Sequence, residues 1–202
     1  MTRAAYLLLG AAALAGCRRD HYGMIDMHAR NPRIVLEMRY AGTNNFTHTV
    51  LYDRAECWLN AVAAARLDAV QQDLERQGLG LKMWDCYRPL SVQKKFWALV
   101  PDERYVANPA KGSRHNRGAA VDLTLVHADG SELAMPTAHD AFTTRAHRDF
   151  MDLPAETLAN RARLEKVMVK HGFVPFPTEW WHFDSEGWQS YPVMDVDFAA
   201  LR

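Results

Sequence analysis

"SRHNRGAAVDLTLVHADGSEL" (residues 113–133) holds the segment that decides the fold class. Across 119–125 the residues alternate: Ala120, Asp122 and Thr124 face one way, Val121, Leu123 and Leu125 the other. That two-residue period belongs to a strand with one apolar face. The Asp129-Gly130 pair just beyond it is a hairpin turn, because its residues tolerate the left-handed backbone a tight turn needs. A hairpin joins antiparallel strands.

Working outward, "RIVLEMRY" (33–40) reads as a strand and "AGTNNF" (41–46) as a loop. From Ala55 to Gln77 the apolar residues Trp58, Leu59, Val62, Ala63, Leu67, Val70 and Leu74 recur at helical spacing, with Asp53 as N-cap and Gly78 as C-cap. "LKMWDC" (81–86) is a short strand. Arg88 precedes a proline and must leave the helical region, and Ser91 starts a helix running to about Val100. Residues 101–113 are loop, 156–170 an amphipathic helix ending at His171-Gly172, and "EWWHFD" (179–184) a final strand. Strands and helices do not alternate strictly, so the expected class is α+β with a central antiparallel sheet and flanking helices.

The chain has 202 residues, 49% hydrophobic and 24% charged, with 24 basic against 24 acidic side chains. One domain with a substantial core is expected. The zero balance argues against a broad nucleic-acid footprint, which needs a basic excess. The first residues stand apart: Arg3, an apolar run from Ala4 to Ala15, then "LAGC" ending at Cys17. That run is too short to span a bilayer and fits the core of a secretory signal. "LAGC" resembles a bacterial lipobox, which implies a signal peptide over 1–16, lipidation of Cys17 and a domain over 17–202. The expected location is the periplasmic face, lipid-anchored, with the outer membrane a secondary expectation from Arg18 after Cys17; the anchor is the expected membrane contact. Cys57 and Cys86 read as buried free thiols, with pairing open to them in an oxidising compartment.

The chemistry begins with Asp122. A carboxylate in the middle of a strand needs an arginine or a metal as partner, since a buried unpaired charge is very costly. His115 lies seven residues upstream, and Gly118 lets the chain turn so that His115 swings back toward Asp122. His182, in "TEWWH" (178–182), is the third candidate. Two imidazoles and a carboxylate leave a tetrahedral zinc one position for water, the pattern of catalytic sites. Glu179 is the candidate general base. An ideal strand would point residues 179 and 182 to opposite faces, and Pro175 and Pro177 discourage a helix, so Glu179 is expected at an irregular strand entrance, with Trp180 and Trp181 walling the site. Arg88 is the candidate stabiliser of an oxyanion; the alternative is a surface pair with Asp85.

"RYAGTNNF", "WDCYRP", "SRHNRGAAVDLTL", "MPTAHDAF" and "TEWWHF" occur in the order seen in the zinc D-alanyl-D-alanine dipeptidases of the vancomycin-resistance type, and the chain resembles that family from about Asp26 to Tyr191. The resemblance implies a zinc DD-peptidase fold, shared with hedgehog-type domains. It implies one zinc ion on His115, Asp122 and His182, Glu179 as base, and Arg88 on the tetrahedral intermediate. Asp140 would take the free ammonium of a small dipeptide, with Ser113 and Tyr40 lining its pocket. Two positions depart from the pattern: Cys86, where a Gly is common, and His139, where a Phe is usual. The alternatives are a zinc carboxypeptidase trimming wall peptides, for which Asp140 has no use, and a non-catalytic lipoprotein that binds wall fragments.

Overall fold

A computed structural model describes residues 22–201; the signal segment 1–16 and Cys17 lie outside the described residues. In chain order its elements are β1 (Met24–Asp26), α1 (Met27–Arg30), β2 (Val35–Leu36), β3 (Trp58–Asn60), α2 (Ala61–Glu75), β4 (Leu79–Asp85), α3 (Leu90–Leu99), β5 (Ala120–His127), α4 (Ala155–Lys170), β6 (Phe173–Pro175) and β7 (His182–Ser185). The main sheet has the order β2-β4-β5-β7-β6, and β1 pairs β3 in a separate ribbon. β2 runs parallel to β4, and the other neighbours are antiparallel. The class is α+β, as the alternation in β5 predicts.

That alternation sorts the sheet into two faces. Leu81 and Met83 of β4, Val121, Leu123 and Leu125 of β5 and Phe183 of β7 are fully buried, in one cluster with Leu67, Val70 and Leu74 of α2 and Leu164 and Met168 of α4. Each such side chain contributes about 1.5–3 kcal/mol when taken out of water. Asp122 and Thr124 lie on the other face, and cross-strand pairing puts His182 beside Asp122. The hairpin after β5 forms at Asp129-Gly130: the His127 N–H donates to Ser131 O at 2.8 Å, and Gly130 sits at φ 85°.

Several boundaries move. Helix α2 starts at Ala61, not near Ala55, because the Asn60 side chain accepts from the N–H groups of Val62 and Ala63 at 3.1 and 2.9 Å. Asp53 is not its cap. Trp58 and Leu59 fit the helical spacing, but β3 takes them into its ribbon with β1. Gly78 adopts φ 71° two residues beyond Arg76, which caps the helix. The 33–40 strand shrinks to β2, since Arg39–Ala41 coil into a 3-10 turn. Strand β7 starts at His182, three residues later than expected.

The two thiols are not free. Cys57 and Cys86 form a disulfide with Cα atoms 5.2 Å apart, which corrects the sequence expectation. Cys57 leads into β3 and Cys86 follows β4; the Tyr87 N–H donates to Trp58 O at 3.0 Å, so the two segments run side by side. That proximity is tertiary and has no local signature.

Candidate metal centre and active site

Asp122 and His182 are directly opposed on β5 and β7. His115 arrives from a 3-10 turn over His115–Arg117, closed by Gly118 at φ 57°. A Cβ on Gly118 would come within 2.4 Å of the Met24 side chain and 3.0 Å of the Asn60 backbone, so the return toward β5 needs glycine. All three side chains are buried, and their ligand atoms lie within 4.8 Å of one another.

The hydrogen bonds behind the histidines fix which nitrogen faces inward. His115 Nδ1 lies 2.7 Å from the Cys86 carbonyl and His182 Nε2 lies 3.0 Å from Asp184 Oδ1. Carbonyl and carboxylate oxygens only accept, so those nitrogens carry protons. The inward nitrogens, His115 Nε2 and His182 Nδ1, are 3.2 Å apart, and Asp122 Oδ1 is 3.5 and 2.9 Å from them. Two lone pairs and a carboxylate aimed at one point repel unless a cation lies between them. A proton relieves this in part. Burial alone would lower His182, but its bonds to Asp122 and Asp184 push it up to about 10. Burial would likewise raise Asp122, yet the surrounding histidines hold it well below the usual carboxylate range. A divalent metal relieves the whole cluster, and the donor set fits one.

Glu179 sits before β7 in a turn, as the prolines predict. Arg148 holds that turn, donating from Nε to Phe176 O at 2.8 Å and from Nη2 to Trp180 O and His182 O at 3.0 Å each. Glu179 Oε2 comes to 3.7 Å from His182 Nδ1. Burial pushes its carboxyl up to about 8, against the opposing pull of His182. Trp181 walls the same cavity of about 60 Å³, together with Phe142 and Phe176.

Arg88 does pair with Asp85, but in the interior instead of on a surface turn. Its Nε and Nη2 donate to Asp85 Oδ2 at 3.0 and 2.6 Å and its Nη1 to Gln93 Oε1 at 2.7 Å. A guanidinium carries five N–H groups, so these bonds leave two to face the cavity that Arg88 lines. Asp85 is saturated in turn by the Tyr52 hydroxyl at 2.7 Å and the Cys86 N–H at 2.9 Å. The register slips between Met83 and Asp85 and sets Asp85 opposite Asp122. Such an irregularity re-aims a side chain and leaves no mark in the residue pattern.

Asp140 lines the far side of the cavity and accepts from the Tyr40 hydroxyl at 2.9 Å through Oδ2. Its backbone is left-handed, φ 58°, a strained state for a non-glycine residue and one that recurs at functional sites. Burial raises its carboxyl, partly offset by His139. Ser113 Oγ accepts from the His115 N–H at 3.2 Å, and Asn116 links Ser113 to the Arg88 carbonyl. The cavity therefore brings together all eight sequence candidates the structure describes. Sequence reasoning set Asp85 on the surface and missed the other groups behind them: Asp184, Gln93, Asn116 and the Cys86 carbonyl. It also missed His139, whose Nε2 lies 3.4 Å from both Asp122 and Asp140.

The chain is similar to known proteins over most of its length. A D-alanyl-D-alanine dipeptidase of Escherichia coli (strain K12) is 34% identical over 182 residues, covering 90% of this chain and 94% of its own. One of Streptomyces coelicolor (strain ATCC BAA-471 / A3(2) / M145) is 32% identical over 73% of this chain and 83% of its own. A solved LD-carboxypeptidase aligns with 71% of this chain and 62% of its own at 19% identity, with a TM-score of 0.42. The family profile described as D-ala-D-ala dipeptidase matches residues 20–200, and with that match the chain belongs to this peptidase family.

Proposed function

We propose that the protein hydrolyses D-Ala-D-Ala, or a similar D,D-dipeptide, to free amino acids, with one zinc ion held by His115, Asp122 and His182. The observation that carries this reading is the convergence of two oriented imidazole lone pairs and a carboxylate, with the Glu179 carboxyl 3.7 Å from one of them. Membership of the D-ala-D-ala dipeptidase family supports the substrate class.

A zinc ion bound there supplies Lewis acidity, polarising a carbonyl and easing the deprotonation of water. Glu179, with its carboxyl 3.7 Å from His182 Nδ1, takes a proton from the attacking water and returns it to the leaving amine. The two free N–H groups of Arg88 donate to the carbonyl oxygen as negative charge grows on it. Asp140 receives the substrate ammonium through Oδ1, which faces His139 Nε2 at 3.4 Å, while Oδ2 holds the Tyr40 hydroxyl. Ser113 positions the substrate and, through its bond to the His115 N–H, the first ligand. The aromatic wall excludes water and strengthens each of these interactions.

The domain over 17–202 acts, on this reading, at the periplasmic face, anchored by lipid on Cys17 after removal of residues 1–16. The Cys57–Cys86 disulfide supports an oxidising compartment. The deciding experiment compares zinc-loaded protein on D-Ala-D-Ala and on its N-acetyl form. Strong preference for the free amine is expected. Equal or better cleavage of the acetylated form would make the protein a carboxypeptidase, and turnover of neither would leave a binding protein.

A further inference from the structure

Two acids of the site face a single imidazole nitrogen. His139 Nε2 lies 3.4 Å from Asp122 Oδ2, on β5, and 3.4 Å from Asp140 Oδ1, on a loop well beyond it. Neighbouring residues of an extended chain point to opposite sides. The left-handed backbone of Asp140, φ 58°, breaks that alternation and lets residues 139 and 140 reach the same spot. Carboxylate oxygens only accept, so Nε2 carries the proton. The two equal, rather long distances are those of one N–H shared in a three-centre arrangement.

Packing fixes the ring. The side chain is 3% exposed, and the ring centres of Trp84, Trp181 and Tyr40 lie 5.0, 5.6 and 6.1 Å from its own. The catalytic cavity is lined by Asp122 and Asp140, whereas His139 lines an adjoining cavity of about 420 Å³. The imidazole therefore stands behind the two acids and not against the substrate. Asp122 Oδ1 is occupied by the inward nitrogens of His182 and His115, at 2.9 and 3.5 Å. Among the described residues, the hydrogen bond to its Oδ2 comes from His139 alone; Arg88 Nη2 is 4.0 Å away, beyond hydrogen-bond range. Asp140 Oδ2 holds the Tyr40 hydroxyl, and its Oδ1 faces His139. Without the imidazole N–H, one oxygen of each acid would lose its facing donor, and two like charges would meet across the gap.

We propose that His139 is a positioning residue that joins the metal centre to the ammonium site. Its N–H holds Asp122 Oδ2, so that Oδ1 stays with the histidine lone pairs. The same N–H steadies Asp140 Oδ1 for the substrate ammonium; an oxygen with two lone pairs accepts from both. Groups that hold a metal ligand from behind are worth about 10–100-fold in metal affinity, and a shared N–H belongs at the low end. The Asp140 half of this inference rests on the dipeptidase reading, while the Asp122 half requires only a bound metal.

The test measures the zinc affinity of the full chain by chelator competition, and KM and kcat on D-Ala-D-Ala at saturating zinc. His139→Phe keeps an aromatic ring among Trp84, Trp181 and Tyr40 and removes the N–H. His139→Gln keeps an N–H at a similar reach. Zinc affinity is expected to fall about tenfold in His139→Phe and to recover most of that loss in His139→Gln. KM is expected to rise more than kcat falls in His139→Phe, again with recovery in His139→Gln. If His139→Phe does not fold, His139→Met, equally without a donor, takes its place. The proposal is overturned by wild-type zinc affinity in His139→Phe, or by a wild-type chain that binds no zinc. An equal loss in His139→Phe and His139→Gln also overturns it, since the packing of the ring would then be the cause. Weakened zinc binding with an unchanged KM refutes the link to Asp140. A wild-type chain that binds zinc without cleaving D-Ala-D-Ala loses the dipeptidase reading, and the zinc comparison still decides the Asp122 half.

Discussion

Asp122 and His182 form a cross-strand pair with Oδ1 and Nδ1 2.9 Å apart, while the far nitrogen of the same ring is held by Asp184, two residues along β7. The imidazole is thus gripped from both ends by carboxylates, one aimed into the site and one behind it. Asp184 is buried and its carboxyl is lowered by His182 and Arg114 against the cost of burial. Asp184→Asn is expected to weaken metal binding about 10–100-fold while leaving the three ligands in place. Competition against a chromogenic chelator measures it; unchanged affinity would remove Asp184 from the metal centre.

Glu179→Gln tests the base directly. The metal should remain bound at wild-type affinity, because Glu179 is not among the converging donors. Turnover of D-Ala-D-Ala is expected to fall by about 10²–10⁴-fold. Metal content by mass spectrometry and kcat on the same sample separate the two effects, and retained turnover would refute the mechanism.

Metal affinity should rise with pH. His182 in the metal-free protein holds its proton up to about 10, above the ordinary histidine range, and must release it to bind. Below that pH each unit gained removes a competing proton, so the dissociation constant should fall about tenfold per unit between pH 6 and 9. Calorimetry in buffers of different ionisation enthalpy counts the protons released. A flat profile would mean the ring is already neutral before the metal arrives.

Replacing both Cys57 and Cys86 by Ala is expected to cost about 3.5 kcal/mol, the entropy of a loop closed across a sequence separation of 29. The Cys86 carbonyl also anchors His115, so metal affinity should drop as well. Denaturant unfolding and chelator competition report on the two separately.

Asp140→Asn should spare the metal and raise KM for the free dipeptide. Losing one partner of a buried charge pair costs roughly 2–5 kcal/mol, or about 30-fold and upward in kcat/KM. The N-acetyl substrate should respond far less, which distinguishes loss of the ammonium contact from general damage.

The sequence made Asp122 legible because an acid in a strand with one apolar face stands out, and made His115 legible because Gly118 marks the turn beside it. His182 and Glu179 stood out in "TEWWH", and Pro175 and Pro177, by discouraging a helix, put Glu179 at an irregular strand entrance. Asp85 was not, because its orientation depends on a register slip that appears only once β4 meets β5. The start of α2 was misplaced for a similar reason: Trp58 and Leu59 satisfy helical spacing, and pairing with β1 overrides it. The disulfide likewise depends on two segments coming together across the fold. Ligands legible in local pattern were found, and the groups that orient them, supplied by distant segments, were not.

The strand order also fixes when the site comes into being. β7 slots between β5 and β6, although it is the last strand in the chain, and His182 follows Asp122 by 60 residues. On a growing chain Asp122 and His115 are made well before their third companion. Until the segment through His182 has emerged and β7 has closed the gap in the sheet, the three side chains cannot converge, and a chain cut short of His182 carries the earlier motifs without the cluster.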